Sequence, residues 1–475
     1  MWRFRARNFL VRAPLLQSAA CGLLMWAMAS MPATVWAQPH GICTDEDVAF
    51  NAAKPAFSEP EGVMPPQPQP RVHLQTLVAD ALERSHAVGA ARLIADAAKL
   101  DVEETAAATA VQASLAGGFG PGGTRTRATT ENAGAQLRAT INLSQLLYDG
   151  GRVASLVNWR TQLAESARYG YLDQREQLAL STVALALERG RYRTQMQVYR
   201  QNVRKMSCLV AALDVIVRAD RGRASELLQA QKALEQAELS QSQTQSMVRQ
   251  SEIRLRRLVG DGLPPTAGLA TVFANLPSLE ELVADVERAH EVAALGAQAR
   301  AASRFADVSA SADKPQVRWA VSATAAQGLG SSSASGSRGG VSGNYSAGLM
   351  LSVPLLAPGN VPARDAARKR AQAAQLQQAE ALESRRWRVA DLHEQAQAAQ
   401  DRMRRLGDLM RSSEQVRGAT FQQWQQLGRR SLFDVMSAEA EHYGLRVAYV
   451  NALYDIQQIN ANLLALGRGV TEWLK

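Results

Sequence analysis

The stretch INLSQLLYDGGRV at residues 141–153 decides the fold, because it recurs as LMLSVPLLAPGNV at 349–361, an offset of 208 (349 − 141). Both copies end an apolar, strand-like segment in a Gly or Pro turn and then begin a helical segment. At the same offset, ELLQA at 226–230 matches DVMSA at 434–438. An offset that stays fixed over so long a stretch predicts a tandem duplication, with a long helix of equal length in both copies.

A second pair of similar segments precedes each copy, LVADALERSH at 77–86 and LVADVERAH at 282–290. Each half is therefore predicted to run helix, strand, loop, strand, long helix, turn, helix. We place the first repeat at 74–275, the second repeat at 276–467 and a C-terminal tail at 468–475. This order of elements predicts an α+β protein with an internal duplication.

Alternating side chains mark four strand-like segments. In AQLRATINLS at 135–144 every odd position is apolar and every even position is polar, and the same period of two recurs, in places more weakly, at 345–353, 317–325 and 112–120. About ten residues is the length that a tilted strand needs to cross a bilayer. A soluble antiparallel sheet with one wet face is the alternative. The membrane interpretation predicts lipid-facing positions at Leu137, Ile141, Leu349 and Leu351 and lumen-facing positions at Arg138, Asn142 and Ser352.

Two long polar links favour the membrane interpretation. Residues 121–134 and 329–344 connect the strands of each pair and are rich in glycine and hydroxyl-bearing residues, as the extracellular loops of outer-membrane barrels tend to be. Four strands cannot close a membrane barrel, for which about eight is the smallest number expected. Several chains must then contribute strands to one wall, so the sequence predicts an oligomer.

Long helices account for most of the remaining chain. Residues 152–219 contain no proline and can form one helix about 100 Å long, since each residue adds about 1.5 Å. The last long helix has an apolar stripe with alternating spacings of three and four residues, and its repeat partner has the equivalent stripe between Leu227 and Leu258. The stripe of the last helix consists of Val435, Ala438, His442, Leu445, Tyr449, Ala452, Ile456, Ile459, Leu463 and Leu466. His442 is interpreted as a packed core histidine rather than a ligand.

The N-terminal region has the composition of an export signal followed by an extended leader. Residues 1–37 combine an arginine-rich start, an apolar run and small residues before Gln38, as a secretory signal peptide does, with an uncleaved membrane anchor as the alternative. Residues 38–73 hold seven prolines, too many for the interior of a helix or sheet. The formal charge of +9 falls to about +5 without the four arginines of the signal (9 − 4), and the remaining basic residues are scattered. Nucleic-acid binding is therefore not predicted.

Motifs for catalysis, cofactors and metals do not fit their required context. Gly118, Gly120 and Gly123 satisfy the spacing GxGxxG, but the chain continues as TRTRATTENAG where a dinucleotide site needs the start of a helix. The six histidines show no HExxH spacing, and no two cysteines lie close enough for a zinc ribbon. We therefore predict no enzyme activity, no cofactor and no metal ion. No segment after the signal has the 18 apolar residues of a transmembrane helix.

Two motifs within these elements resemble those of TolC-type outer-membrane channels. SQLLYDGGRV at 144–153 is similar to the strand-end pattern PLFDGG of that family, and LGRRSLFDVMSAEA at 427–440 is similar to its hairpin tip. The resemblance covers about 74–467. It implies a homotrimer in the outer membrane of a Gram-negative cell, with twelve strands, four from each chain, in one β-barrel that is continued by a long α-helical barrel in the periplasm.

The resemblance also implies a function and partners. TolC-type channels are engaged by a periplasmic adaptor (a membrane fusion protein) and an inner-membrane transporter. This sequence is most similar to members that serve type I secretion of the adenylate cyclase-haemolysin toxin, which implies an ABC transporter as partner and a secreted protein as cargo. Two alternatives remain open, the outer-membrane duct of a multidrug efflux pump and a non-spanning periplasmic coiled-coil adaptor.

The two helical tips are candidate gate sites by the same resemblance, and candidate docking sites because they carry more positive charge than a turn needs. Asp434 matches the family's tip pattern as a gate residue, alone or with Glu226 in a ring of six acids in the trimer, and Ser437 stands where some members have a second acid. The candidate docking residues are Arg221, Arg429 and Arg430, together with the glycines Gly222 and Gly428. Two alternatives remain, a solvated loop for the arginines and, for Asp434, a capping box with Ser431.

The spacing at the tips differs between the two repeats. Gly222 lies two residues closer to Ala230 than Gly428 lies to Ala438 (8 against 10 positions). The sequence therefore predicts a tighter turn at the first tip.

Overall fold

The computed structural model describes residues 70–125, 130–273, 275, 277–329, 341–427 and 429–475. The predicted signal at 1–37, residues 38–69 of the leader and Gly428 lie outside this range, as do parts of the two polar links. Within the range, the first helix begins at Pro70 and includes the last residues of the segment expected to be extended. Proline is tolerated in the first turn of a helix, because the N–H group that it lacks has no helical partner there.

Each half of the chain contains the predicted series of elements. The first half consists of α1 (Pro70–Arg84), α2 (His86–Ala107), β1 (Gln112–Arg125), β2 (Thr130–Tyr148), α3 (Arg152–Ala219) and α4 (Ala224–Val259). The second half consists of α5 (Leu279–Val286), α6 (His290–Ala310), β3 (Gln316–Leu329), β4 (Val341–Ser352), α7 (Asn360–Leu427), α8 (Leu432–Leu466) and the short α9 (Val470–Leu474). Helices α3 and α7 both have 68 residues, which corresponds to a length of about 100 Å. The equal length predicted for the two long helices is confirmed.

The turn from β2 into α3 explains why Asp-Gly-Gly stands at that place. Gly150 and Gly151 have φ angles of 67° and 85°, in the left-handed region that favours glycine. The Asp149 carboxylate accepts hydrogen bonds from the backbone N–H of Gly151 (2.9 Å) and of Val153 (2.5 Å). A carboxylate at this place satisfies N–H groups that the first turn of a helix leaves free. The strand therefore ends and the long helix begins within three residues.

The four strands form one antiparallel sheet in the order β1-β2-β3-β4. The strand predictions at 112–120, 135–144 and 317–325 fall within β1, β2 and β3, while β4 ends one residue before the predicted 353. The register pairs Ile141 with Leu115 on one side and with Ala323 on the other. Strands β1 and β4 are the two edges of the sheet.

The helices pack along their apolar stripes. All members of the predicted stripe on α8 are buried or half-buried, and so is the equivalent stripe on α4. The largest apolar cluster joins α1, α3, α4 and α8, and includes Leu74, Leu187, Leu255 and Tyr454. The single seam predicted for α8 was incomplete, because α8 packs on α3 as well as on α7 and is buried on a second face. No helix in the described part of the chain combines the length and the apolar character of a membrane-spanning segment.

Candidate functional site

The sheet has one apolar face, on which the four residues expected to face lipid lie together. Residues that are directly opposite each other in an antiparallel pair point to the same side of the sheet. The apolar pairs are Phe119 with Leu137, Leu115 with Ile141, Trp319 with Leu349 and Val317 with Leu351. Leu137, Ile141, Leu349 and Leu351 are 51%, 49%, 72% and 68% exposed, so no other part of the described chain covers this face.

The opposite face is polar and includes the three positions predicted to face the lumen. Asn142 lies between Ser114 and Ser322, and the Ser322 hydroxyl is 2.8 Å from that of Ser346. One level away, the hydroxyls of Thr140 and Thr324 are 3.1 Å apart. Arg138 pairs with Gly118 and Ala326, and Ser352 pairs with Gln316. Hydroxyl groups from three strands therefore form a continuous polar band.

The second tip contains the capping box that the sequence left as an alternative. The backbone N–H of Asp434 donates to Ser431 Oγ (3.2 Å), and the backbone N–H of Ser431 donates to Asp434 Oδ2 (3.2 Å). Arg430 Nη1 lies 4.0 Å from the same carboxylate oxygen. Asp434 is therefore a helix cap within one chain, and it is still half exposed to solvent.

The first tip is capped differently. Asp220 Oδ1 accepts from the backbone N–H of Gly222 (3.0 Å), and Glu226 Oε2 accepts from Arg223 Nη2 (2.7 Å) and Nε (3.1 Å). Both tips have four residues between their helices, 220–223 and 428–431. In the first tip, Arg221–Arg223 form a short 3-10 turn between the two helices. The tighter first turn stays a prediction, because Gly428 of the second tip lies outside the described residues.

The two tips lie side by side at the same end of the molecule. Leu213 and Ala230 from the first hairpin pack with Leu432 and Val435 from the second in one buried cluster. This contact brings Glu226 and Asp434, 208 positions apart in sequence, to neighbouring helix starts. Arg221, Arg429, Arg430 and Ser437 are all exposed at this end, and among the described residues neither Arg221 nor Arg429 forms an ion pair.

A buried charged cluster further along the helices was not predicted. Glu439 on α8 is 1% exposed, and its carboxylate lies 3.8 Å from Lys205 Nζ on α3 and 3.4 Å from Arg417 Nη1 on α7. His442 is also buried, and its Nε2 lies 3.2 Å from Glu414 Oε2, which agrees with a core histidine. The sequence signal was the spacing of Glu439 and His442, which places them about one turn apart on the same side of α8.

Comparisons with known proteins agree with this architecture. Residues 77–261 and 285–467 match the family model described as "Outer membrane efflux protein". No curated protein sequence matches the chain. Within the part of the chain that the structure describes, no group of three or more His, Cys, Asp or Glu side chains is placed to hold a metal ion.

Solved structures of outer-membrane channels have a similar fold. CusC is 18% identical, with a TM-score of 0.72 over 87% of this chain and 99% of that chain. VceC from Vibrio cholerae is 20% identical, with a TM-score of 0.69 over 83% of this chain and 96% of that chain. The open state of MtrE from Neisseria gonorrhoeae is 17% identical, with a TM-score of 0.69 over 83% and 88%. The chain belongs to the outer membrane efflux protein family and has the fold of a TolC-like channel.

Proposed function

We propose that three copies of this chain form an outer-membrane channel that continues as a helical tunnel in the periplasm. The observation that carries this proposal is the two-faced sheet, whose apolar face is exposed and whose edges β1 and β4 are open. Three such sheets joined edge to edge supply twelve strands, a number within the range of outer-membrane barrels. The apolar face then contacts lipid, and the polar face lines the channel.

Two neighbouring substitutions test this arrangement. Ile141→Arg puts a charge on the apolar face, where an arginine at the bilayer midplane costs roughly 2 to 4 kcal/mol, whereas Asn142→Arg puts the same charge on the polar face. We expect Ile141→Arg to deplete the heat-sensitive trimer from outer-membrane fractions and Asn142→Arg to leave its yield unchanged. Equal yields for the two variants would contradict the assignment of the faces.

For the cargo, we propose a protein toxin exported by type I secretion. The support is the resemblance of the sequence to CyaE, the outer-membrane component of adenylate cyclase-haemolysin secretion. The partners are then an inner-membrane ABC transporter and a periplasmic adaptor. The duct of a multidrug efflux pump is the second candidate, and the family model that matches the chain favours it.

Complementation separates the two cargo classes. In cells that lack their own outer-membrane component, the chain should restore adenylate cyclase activity to the culture medium without raising tolerance to detergents and dyes. The opposite pattern, higher tolerance without secreted activity, would identify the efflux duct.

We propose that the tips are the docking and gating end of the channel. Arg221 and Arg429 are exposed there, so a partner can reach their charges. Reversal of both to glutamate should abolish crosslinking to the adaptor and export of the cargo while trimers still form. The matched control is the reversal of Glu235 and Glu238 to arginine. This double variant also reverses two exposed charges, but on α4 and away from the tips. If crosslinking survives the double reversal, the arginines belong to a solvated loop.

A further inference from the structure

Between the levels of Gln136 and Leu146, the polar face of the sheet carries charge of one sign. Over the positions from Gln136 to Leu146 of β2 and their partners on the other strands, its charged side chains are Arg138 and Arg318. Neither glutamate nor aspartate occurs at these positions. The other residues of this face are serine, threonine, asparagine, glutamine, small residues and two apolar side chains near the helical end, Leu146 and Met350. Over these positions the face therefore has a net charge of +2 in each chain.

The two arginines lie near opposite ends of this face. Arg138 is opposite Ala326 on β3, and Arg318 lies eight positions before Ala326 on the same strand. At about 3.3 Å per residue, the two levels are about 26 Å apart along the strand. Because the strands of outer-membrane barrels tilt by about 35 to 45°, the two levels are about 20 Å apart along the barrel axis, against an apolar band about 25 Å tall. The arginines therefore lie near the two ends of the segment that crosses the membrane in the proposed barrel.

Both guanidinium groups are available to a molecule in front of the sheet. Arg138 and Arg318 are exposed, and Arg138 is flanked on the neighbouring strands by Gly118 and Ala326, whose small side chains leave its surroundings open. Neither arginine forms an ion pair with a residue that the structure describes. Ion pairs with the described residues therefore do not explain these two charges.

We infer that Arg138 and Arg318 make the barrel lumen selective for anions. This inference rests on the proposed trimer, in which three chains contribute two levels of three guanidinium groups each. Rings of arginine or lysine select anions in pores, because a charged ring raises the local concentration of ions of opposite sign. Arginine keeps its charge at every physiological pH. The contribution of the arginines to the selectivity therefore does not change with pH.

The reversal potential of the trimer in planar bilayers under a potassium chloride gradient tests the inference. The salt should stay near 0.1 M or below, because at that concentration charges interact over about 10 Å and are screened beyond it. We expect the Arg138→Gln/Arg318→Gln double variant to lower the chloride-to-potassium permeability ratio by about twofold or more. The charge-conserving double variant Arg138→Lys/Arg318→Lys should keep the ratio of the wild type.

The outcomes separate this inference from the proposed function. If the wild-type chain forms no trimer and no conducting channel, the proposed function is wrong. If it conducts and the glutamine variant has the same permeability ratio as the wild type, the channel stands and the inference is overturned. A ratio that falls equally in the glutamine and the lysine variants would also overturn it, because the loss would then follow from side-chain shape rather than from charge.

Discussion

Helices α4 and α8 are equivalent in the two repeats, yet they are buried to different extents. Their shared stripe is buried or half-buried in both helices. On α8 a second buried face carries Glu439, Tyr443, Arg446, Val450, Tyr454 and Gln457. The counterparts of these residues on α4, at the offset of 208, are Gln231, Glu235, Glu238, Ser242, Ser246 and Arg249, which are exposed or half-buried.

The difference follows from what each helix contacts. Helix α4 packs mainly on α3, its own hairpin partner, whereas α8 packs on α7 and also across the repeat boundary on α3. Several polar residues on the second face of α8 have specific partners. Gln457 Oε1, for example, accepts from the backbone N–H of Phe273 (2.6 Å), and Asn460 Nδ2 donates to the Phe273 carbonyl (2.7 Å). A duplicated sequence therefore keeps its hairpin seam, while the face used between the repeats has diverged.

The largest effect is expected from breaking the charged cluster on α8. Glu439→Gln removes the carboxylate that Lys205 and Arg417 share, while Arg417 keeps its ion pair with Glu414 (2.6 Å). Loss of one partner from a buried pair costs about 3 to 5 kcal/mol, and we expect the lower end of that range here. The matched substitution on α4, Gln231→Glu, changes a residue that the rest of its own chain leaves exposed, and should stay within about 0.5 kcal/mol. Thermal unfolding of the purified trimers measures both, and similar midpoints for the two variants would contradict the asymmetry.

A glycine that the repeats do not share gives the next test. Gly190 on α3 corresponds to the exposed Ala398 on α7, and a Cβ added at Gly190 would lie 2.9 Å from the Tyr454 ring. Overpacking costs about 1 to 3 kcal/mol, and the better helix propensity of alanine returns about 1 kcal/mol. Gly190→Ala should therefore destabilise by about 1 kcal/mol.

Two controls accompany this substitution. Ala398→Gly should also destabilise, by about 1 kcal/mol, because only propensity acts at the exposed site. In a Tyr454→Leu background the Gly190→Ala change should become neutral or stabilising. A destabilisation that persists in that background would show that the Tyr454 ring is not the cause.

The two tips should differ by a smaller amount. Asp434→Ala removes half of a capping box and should cost about 1 kcal/mol, by analogy with N-cap residues. Its counterpart Glu226 forms an ion pair with Arg223 near the surface, so Glu226→Ala should cost about 0.2 to 1 kcal/mol.

Planar bilayer recordings test a second role of Asp434, in gating. If Asp434 is also a gate residue, Asp434→Ala should relieve block by divalent cations added on the periplasmic side, and full block in the variant would leave the cap as its role.

The smallest effect is expected for Glu252, whose contribution to stability should be lost at acidic pH. Burial alone raises the pKa of Glu252 on α4, but hydrogen bonds from Arg193 (2.6 Å) and Arg189 (3.2 Å) outweigh it and bring the pKa below its ordinary value. A lowered pKa in the folded state stabilises the protein above the unfolded pKa of about 4.3, and this contribution is lost as the pH falls through the folded pKa.

The comparison with α8 sharpens this prediction, because Asn460 stands at the equivalent position and does not titrate. The difference in melting temperature between wild type and Glu252→Gln should shrink as the pH is lowered from about 6 to below about 4. The difference for Asn460→Ala should stay constant over the same range. A pH-independent effect of Glu252→Gln would contradict the role given to its charge.

The sequence predicts those parts of the fold that depend on local pattern. The alternation at 135–144 identified β2, and the absence of proline between 152 and 219 identified α3, because both signals lie within a single element. The second face of α8 was missed, since Lys205 and Arg417, which contact the buried Glu439, lie on helices distant in the chain. The tips could be located from the sequence, because their motifs lie within short segments. Whether Asp434 caps a helix depends on the positions of Ser431 and Asp434 in the folded turn, which the sequence alone does not determine.

The equal length of α3 and α7 limits how this molecule can change in evolution. Each added residue lengthens a helix by about 1.5 Å and rotates everything beyond it by about 100°. One insertion would turn the seam of a hairpin away from its partner, and even a heptad, which keeps the seam nearly in phase, would move one tip about 10 Å beyond the other. Changes in length must therefore occur in all four long helices by the same multiple of turns. A related chain whose helical hairpins are longer or shorter is expected to differ by the same number of heptads in both halves.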